Sequence, residues 1–401
     1  MHDVDPICTP LSKSMRKPAF EHMHHHLSTT VLALIALCAA PSARADIVIG
    51  VSFSLTGPAA ALGIAPRNTL QLFPEQIGGE KLRFVVLDDA TDSTGAAKNA
   101  RRFVSEDKVD LIIGSTASPP AIAIAEVARE AETVQLAAAP IELAEGRDAF
   151  TFRLPQGVAL MAEGTIAHMK KSGVKSFGFL GYTDAYGESW LRDMNRSATA
   201  AGIKFTGAER FARTDTTVTA QALKVVAGNP DAVLVVASGS GAVMPQKALL
   251  ERGYKGQIYQ TYSAVAPDLL RMGGKDVEGT LGLSGPAVAA DQLPDTHPSK
   301  KVALDFTQAY EAKFGAGSYN QFAANIWGAK LLLDKAIPIA LKTAKPGTRE
   351  FRLAVKQALE TMGEVVVPQG VLRYSATDHF GYDDRARFVL SAQAGNWRAV
   401  K

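Results

Sequence analysis

The residues best placed to do chemistry in this chain are Ser115, Thr116 and Ser118, in the stretch Gly114-Ser115-Thr116-Ala117-Ser118-Pro119-Pro120. Their hydroxyls and backbone N–H groups crowd hydrogen-bond donors into a short span, which suits the holding of an anion. The run before them, Val109-Asp110-Leu111-Ile112-Ile113, is apolar and β-branched and reads as a buried parallel strand. Helical spacing resumes at Ala121-Ile122-Ala123-Ile124-Ala125. A strand that ends in Gly-Ser-Thr and opens a helix offers free N–H groups and the positive end of a helix dipole, which favours an anion by about 0.3–2 kcal/mol. The alternative at this point is that Ser118 simply caps the helix.

Other constellations carry less. Asp88, Asp89 and Asp92 stand at a strand end before a helix, where aspartates cap and turn more readily than they hold a metal. Asp378 and His379 with Asp383 and Asp384 lie in a polar turn between strands. Gly239-Ser240-Gly241 lacks the full Gly-x-Ser-x-Gly of a nucleophile elbow, and His168 and His297 lie in unrelated segments. Gly50 and Gly57 are spaced wrongly for a dinucleotide fingerprint. No catalytic residue, no metal and no cofactor are therefore expected. Phe322 and Trp327, with Leu331–Leu333, form a helical apolar stripe and read as core.

The elements that position the donors repeat in two rounds. Strands at 46–51, 82–89, 109–114 and 134–139 alternate with helices reaching to about 75, at 94–107 and at 121–132. The rhythm restarts with helix 157–171 and strand 176–181, then helix 185–201, strand 203–205, helix 217–227, strand 231–236, helix 241–252 and strand 257–260. Residues 282–298 are loop-rich and Pro-punctuated, a crossing between lobes, and helices 299–315, 319–342 and 347–361 with short strands at 364–374 and 386–400 close the chain. Strand–helix alternation means βαβ units on parallel sheets, so the fold class is α/β with two doubly wound, Rossmann-like lobes. Such lobes bind ligand where the carboxyl ends of their strands face each other. The loops that reach this cleft are 54–57, 114–118, 137–141, 182–187, 237–241 and 261–264.

Composition excludes other classes. In 401 residues, 47% are apolar and 21% charged, an ordinary globular balance, and a net charge of +3 argues against nucleic-acid or membrane-surface partners. Residues 1–45 read as a cleaved signal peptide: Arg16 and Lys17, the apolar core Val31-Leu32-Ala33-Leu34-Ile35-Ala36-Leu37, then Ala43-Arg44-Ala45 before Asp46. His24-His25-His26 belongs to this leader, as do both cysteines, Cys8 and Cys38. The mature chain then has neither disulfide nor Cys-ligated metal. No later run approaches the roughly 20 apolar residues of a membrane span, so the expected product is exported, soluble and periplasmic.

Taken in order, these loops resemble the substrate-binding proteins of branched-chain amino acid ABC transporters, the leucine-binding-protein-like type I periplasmic binding proteins. The likeness lies in Ser54-Leu55-Thr56-Gly57-Pro58, Leu87-Asp88-Asp89 with Asp92, and Ile112-Ile113-Gly114-Ser115. It continues in Asp184-Ala185-Tyr186-Gly187, Asn229-Pro230-Asp231-Ala232-Val233 and Gly273-Gly274-Lys275-Asp276-Val277-Glu278-Gly279. The resemblance implies lobes at 46–155 plus 287–366 and at 156–286 plus 367–401, joined by a three-crossing hinge that closes on ligand. It implies a carboxylate held by Ser115, Thr116, Ala117 and Ser118 with Ala137, Ala138 and Ala139, and Tyr186 closing over it. It implies an inner-membrane permease as partner, a small-molecule carboxylate as ligand, and a monomer. A periplasmic sensor subunit of the same fold is the alternative function.

The departures concern the ligand's ammonium. Tyr262 stands where amino-acid binders of this family place a glutamate, Ala139 where a threonine shares the duty, and Leu62 where a further tyrosine stands. Burying an ammonium without its carboxylate partner costs roughly 2–5 kcal/mol, or about thirty- to several-thousandfold in affinity. The expected ligand is therefore an acid lacking the α-ammonium, aromatic or a keto acid, with Tyr186 and Tyr262 flanking a ring and Leu62 filling the apolar end. The alternative is that another acidic group or a water meets the ammonium.

Overall fold

The first strand, β1 (Ile47–Phe53), is buried at all 7 positions, as a parallel strand covered on both faces must be. The computed structural model describes residues 46–400; the expected leader with its two cysteines lies outside the described residues. β1 sits inside a six-stranded sheet with β2 (Gln76–Ile77), β3 (Glu80–Asp88), β4 (Leu111–Gly114), β5 (Val134–Ala137) and β6 (Thr151–Arg153). The order is β2-β3-β1-β4-β5-β6, and every pairing except β2 with β3 is parallel.

Successive side chains of a strand point to opposite faces, and the two faces of this sheet have different coverings. Val48 and Ile112 pack with Phe103, Ile124 and Val127 from helices Ser93–Ser105 and Ser118–Glu130. Their neighbours Ile47, Ile49, Leu111 and Ile113 pack with Leu332, Leu333, Phe351 and Leu359 from helices Gln321–Ala340 and Arg349–Thr361.

The second sheet contains the parallel strands β7 (Ser176–Tyr182), β8 (Lys204–Phe211), β9 (Ala232–Val236), β10 (Gln257–Gln260) and β11 (Leu281–Ser284). A two-stranded ribbon, β12 (Val365–Val367) and β13 (Gly370–Leu372), packs Val365, Val367 and Leu372 into the core beneath the first sheet. The chain then extends the second sheet with the antiparallel β14 (Phe388–Gln393) and β15 (Asn396–Ala399), giving the order β15-β14-β11-β10-β9-β7-β8. The chain passes between the sheets three times: after β6, after β11 and between β13 and β14. Two α/β lobes are the architecture expected from the alternation, and the triple crossing is the one the resemblance implied.

Several elements depart from expectation for local reasons. The helix expected up to about 75 is broken into the short turns Ala60–Leu62 and Leu70–Leu72 around helix Ile64–Thr69. β6, only 3 residues long, and β11, flanked by Gly285 and Pro286, are too short and too punctuated to show as strands in the sequence. β8 runs on to Phe211, well past 205, because the irregularity opposite Phe177/Gly178, where Gly207 adopts φ +149, interrupts its pattern without ending its pairing.

Candidate functional site

In the first sheet β3 lies on one side of β1 and β4 on the other; in the second, β8 and β9 flank β7 in the same way. Connections that leave a strand in opposite directions open a crevice at its carboxyl end. A narrow cavity lies between these two switch points. Leu62 follows β1, Thr116, Ala117 and Ser118 follow β4, and Ala138 follows β5; all line it. β4 approaches β1 so closely that a Cβ on Gly114, at φ +129, would stand 1.9 Å from the Ser52 carbonyl oxygen, so only glycine fits there.

Ser118 is not a helix cap. The N-cap is Ala117, with extended backbone and no side-chain capping bond, and Ser118 is the first helical residue. Pro119 and Pro120 follow in the first turn and have no N–H to offer. The helix end therefore presents fewer amides than expected, chiefly that of Ser118, supplemented by the Ser118 and Thr116 hydroxyls. Thr116 Oγ1 accepts from Ser54 N at 3.3 Å, which leaves its own proton to donate.

Ser115 and Ala139 stand apart from the cavity wall. Ser115 Oγ donates to Asp89 Oδ2 at 2.6 Å, and the Ser52 and Ser54 hydroxyls donate to the same carboxylate at 3.2 and 2.7 Å. This buried cluster ties the loops after β1, β3 and β4 together behind the cavity. Ala139 packs with Ala121, Ala125 and Ala137. Asp92 caps helix Ser93–Ser105 through Gly95 N at 2.6 Å. Asp88 is lowered from its ordinary value: burial acts to raise it, but bonds from the Thr56 hydroxyl and from the N–H groups of Ala90, Leu55 and Thr56 outweigh that. Among the described residues no group of His, Cys, Asp and Glu could hold a metal ion. His168 bonds the Tyr259 hydroxyl at 2.9 Å, His297 lies 3.2 Å from the Arg385 carbonyl oxygen, and His379 bonds Glu360 at 3.0 Å while stacking on Phe152.

On the second lobe, Asp184 caps helix Ala185–Ala201, accepting from Tyr186 N at 3.0 Å and Gly187 N at 3.2 Å. The Tyr186 hydroxyl meets those of Thr261 at 2.9 Å and Ser263 at 2.8 Å. Burial pushes its phenol up to about 12, the Ser263 and Thr261 bonds acting against it, so the ring lining the cavity is neutral. Tyr262, just after β10, sets its ring at 6.4 Å from that of Tyr186 and donates its hydroxyl to Gln156 O, on the first crossing, at 3.2 Å. Burial raises Tyr262 too, with Tyr186 and Glu142 adding to the effect.

Of the wall residues that the sequence analysis did not name, three bear on the ligand. Arg213 follows β8 by two positions; its Nε donates to Asp184 Oδ2 at 2.5 Å, its Nη1 to Ser238 Oγ at 2.9 Å, and its guanidinium lies 4.1 Å from the centre of the Tyr182 ring. The signal was a lone arginine beyond an alternating strand, hidden by ending that strand at 205. Phe322, expected in the core, instead lines the cavity and packs with Ala59, Leu62 and Ala117. Asn325, one turn along the same helix, is 4% exposed and its buried Oδ1 has no partner among the described residues. Leaving such an atom unpaired costs about 1–3 kcal/mol. Among the residues lining the cavity none is Asp or Glu, and Arg213 alone is charged.

Comparison with known proteins agrees with this geometry. Residues 46–393 match the sequence model of the periplasmic binding protein family. The chain belongs to that family. Leu/Ile/Val-binding protein homolog 7 of Brucella abortus is 26% identical over 368 residues, covering 85% of this chain and 87% of its own. An extracellular ligand-binding receptor from Rhodopseudomonas palustris HaA2 is 45% identical, with a TM-score of 0.87 over 89% of this chain and 100% of that one. A solute-binding protein from R. palustris solved in complex with benzoate shares the fold at 19% identity and a TM-score of 0.74, over 89% and 96% of the two chains. Proteins of this family bind solutes and are not enzymes.

In this periplasmic binding protein the lobes are in contact around the cavity. Gly239, at φ +53, packs so near the first lobe that a Cβ there would stand 3.4 Å from Ala61 Cβ. Glu142, in the loop after β5, forms an ion pair with Arg192 of helix Ala185–Ala201. These two contacts bring the lobes together over the cavity. No helix among the described residues is long and apolar enough to cross a membrane.

Proposed function

We propose that this chain is the periplasmic solute-binding component of an ABC importer, and that its cargo is a small carboxylic acid without an α-ammonium, aromatic or a keto acid. The observation that carries the reading is the charge of the wall: one guanidinium and no carboxylate. Arg213 from one lobe and Thr116 with Ser118 from the other supply donors to an acid bound between them. Leu62, Phe322, Tyr186 and Tyr262 supply apolar surface for its body. A zwitterionic amino acid would meet Tyr262, neutral and already bonded to Gln156, where its ammonium needs a countercharge.

Ligand contacts to both lobes favour the closed state over the open one, and the closed form presents its cargo, as a monomer, to an inner-membrane permease. Export by the leader at 1–45 places it in the periplasm. The benzoate-bound R. palustris protein is a precedent for an aromatic acid in this fold. The test is a thermal-shift panel of leucine, valine, benzoate, phenylacetate and their keto-acid counterparts, followed by calorimetry. Stabilisation by the acids supports the reading; a large shift with leucine or valine alone overturns it.

A further inference from the structure

The wall holds one polar group that the carboxylate does not account for. Asn325 lies on helix Gln321–Ala340 among Phe322, Ala323, Ala324, Ile326 and Ala329, all apolar. Nothing in the helix calls for an amide at this position. Other buried amides of the chain bond through at least one end: Gln135 Nε2 donates to Gly114 O at 2.7 Å and to Ala121 O at 2.9 Å, and Gln156, Gln260, Gln321 and Gln369, each with one amide atom unpaired, bond through the other, whereas Asn325 has a side-chain hydrogen bond at neither end among the described residues. Asn325 Oδ1 has no such partner among the described residues, is shut off from solvent, and belongs to a residue that lines the cavity. Buried polar atoms are paired as a rule, so the partner is to be sought in the molecule that fills the cavity.

We infer that the bound acid carries a hydroxyl in addition to its carboxylate, and that Asn325 is the residue that selects it. The inference rests on the acid reading of the cavity and adds a second polar point to the ligand. An amide oxygen accepts and an amide nitrogen donates, and a hydroxyl answers either, whereas a keto or ether oxygen answers only the nitrogen. A cationic donor would again lack a countercharge in a wall whose one charge is Arg213. Phe322, one turn before Asn325, supplies an apolar face next to this amide, so a ring hydroxyl is the natural form of the group. With Asn325 on the first lobe and Arg213 on the second, an acid so hydroxylated is read from both sides of the cleft.

The test is calorimetry on the purified protein with benzoate, phenylacetate and phenylpropanoate, each beside its ring-hydroxylated isomers. In the wild type at least one hydroxylated isomer is expected to bind about tenfold tighter than its parent, equivalent to about 1.4 kcal/mol. In Asn325→Leu, similar in volume and at home in an apolar helix, the ratio of isomer to parent affinity is expected to fall to about one. Parents and isomers of equal affinity in the wild type overturn the inference and leave the acid reading standing, as does a preference that survives in Asn325→Leu. If Asn325→Leu does not fold, the wild-type comparison still decides. If no acid of either kind binds, the acid reading falls and this inference falls with it.

Discussion

The Asp184 carboxylate binds Arg213 Nε through Oδ2 at 2.5 Å, while its Oδ1 caps the helix that carries Tyr186. One side chain thus fixes both the charge and the aromatic face that the second lobe brings to the cleft. The pairing also directs the guanidinium: Nε and Nη1 are committed to Asp184 and Ser238, and the hydrogen bonds leave Nη2 without a partner among the described residues. The free edge of a guanidinium is suited to a carboxylate oxygen.

Arg213→Ala is expected to weaken binding of the acid about 10- to 150-fold, since a hydrogen bond to a charged group contributes about 1.5–3 kcal/mol. The primary amide of the same acid has no charge to lose and should bind wild type and variant alike. Calorimetry with the acid–amide pair reads this directly. Equal losses for both compounds would show that the arginine shapes the wall without meeting an anion.

Ser115 and Ser118 should separate stability from affinity. Ser115→Ala removes the 2.6 Å donor to Asp89 in a fully buried cluster and is expected to cost about 1–3 kcal/mol of stability with little change in affinity. Ser118→Ala should leave stability nearly unchanged and weaken acid binding about tenfold, by loss of one bond to a charged ligand. Urea denaturation and calorimetry on both variants check the contrast. The reverse pattern would place Ser115, not Ser118, against the ligand.

The Glu142–Arg192 pair spans the two lobes, with 33% and 55% of the side chains exposed, so its strength is that of a surface pair. Such pairs contribute about 0–1 kcal/mol, so Arg192→Ala should weaken ligand binding by no more than about fivefold. The loss should appear in the dissociation rate, because the pair bridges two lobes that must part to release ligand. Stopped-flow release at rising salt should reproduce the effect in the wild type. An unchanged dissociation rate in the variant would remove this pair from the account of closure.

Alkaline pH should unfold the protein through its buried phenols. Tyr186 and Tyr259 are each pushed by burial from 10.0 up to about 12, and Tyr262, Tyr374 and Tyr382 are raised as well. The folded state keeps protons that the unfolded state releases near pH 10, so the stability these groups contribute is complete below pH 10 and is lost as the pH climbs above it. Melting temperature and tyrosinate absorbance, followed together, should show the buried phenols ionising only as the protein unfolds. Reversible ionisation of Tyr186, found by comparison with Tyr186→Phe in the folded protein, would contradict this.

Much of the molecule could be read in one dimension because the cause is local. Apolar runs such as Val109–Ile113 are strands wherever they fall, and in a doubly wound lobe the loop leaving a strand's carboxyl end lies at the cleft. The loops that carry Thr116, Ser118, Ala138, Tyr186 and Tyr262 were placed on that ground, the residues Ala138, Tyr186 and Tyr262 themselves by the family resemblance, and the cavity wall contains each of them. Leu62, placed at the apolar end, lines it too. The cap reading of Ser118 failed by one residue, a shift that Pro119 and Pro120 already foreshadow by their preference for the first helical turn.

The chain order alone therefore determined the alternation of elements and the loops that reach the cleft; the direction of each side chain was decided by the tertiary structure. Ser115 and Thr116 are neighbours of like chemistry, yet one turns back to Asp89 and the other forward to the cavity, because Asp89 arrives from β3. Arg213 enters because β8 continues through an irregularity that only pairing with β7 defines. Phe322 and Asn325 sit at the start of a helix whose later turns fill the first lobe's core, and its early turns face a cavity only because the other lobe closes over them. Local sequence sets backbone preference through propensity and periodicity, whereas a side chain's partner is supplied by other elements of the fold, from 26 positions away for Ser115 and Asp89 to 106 for Tyr262 and Gln156.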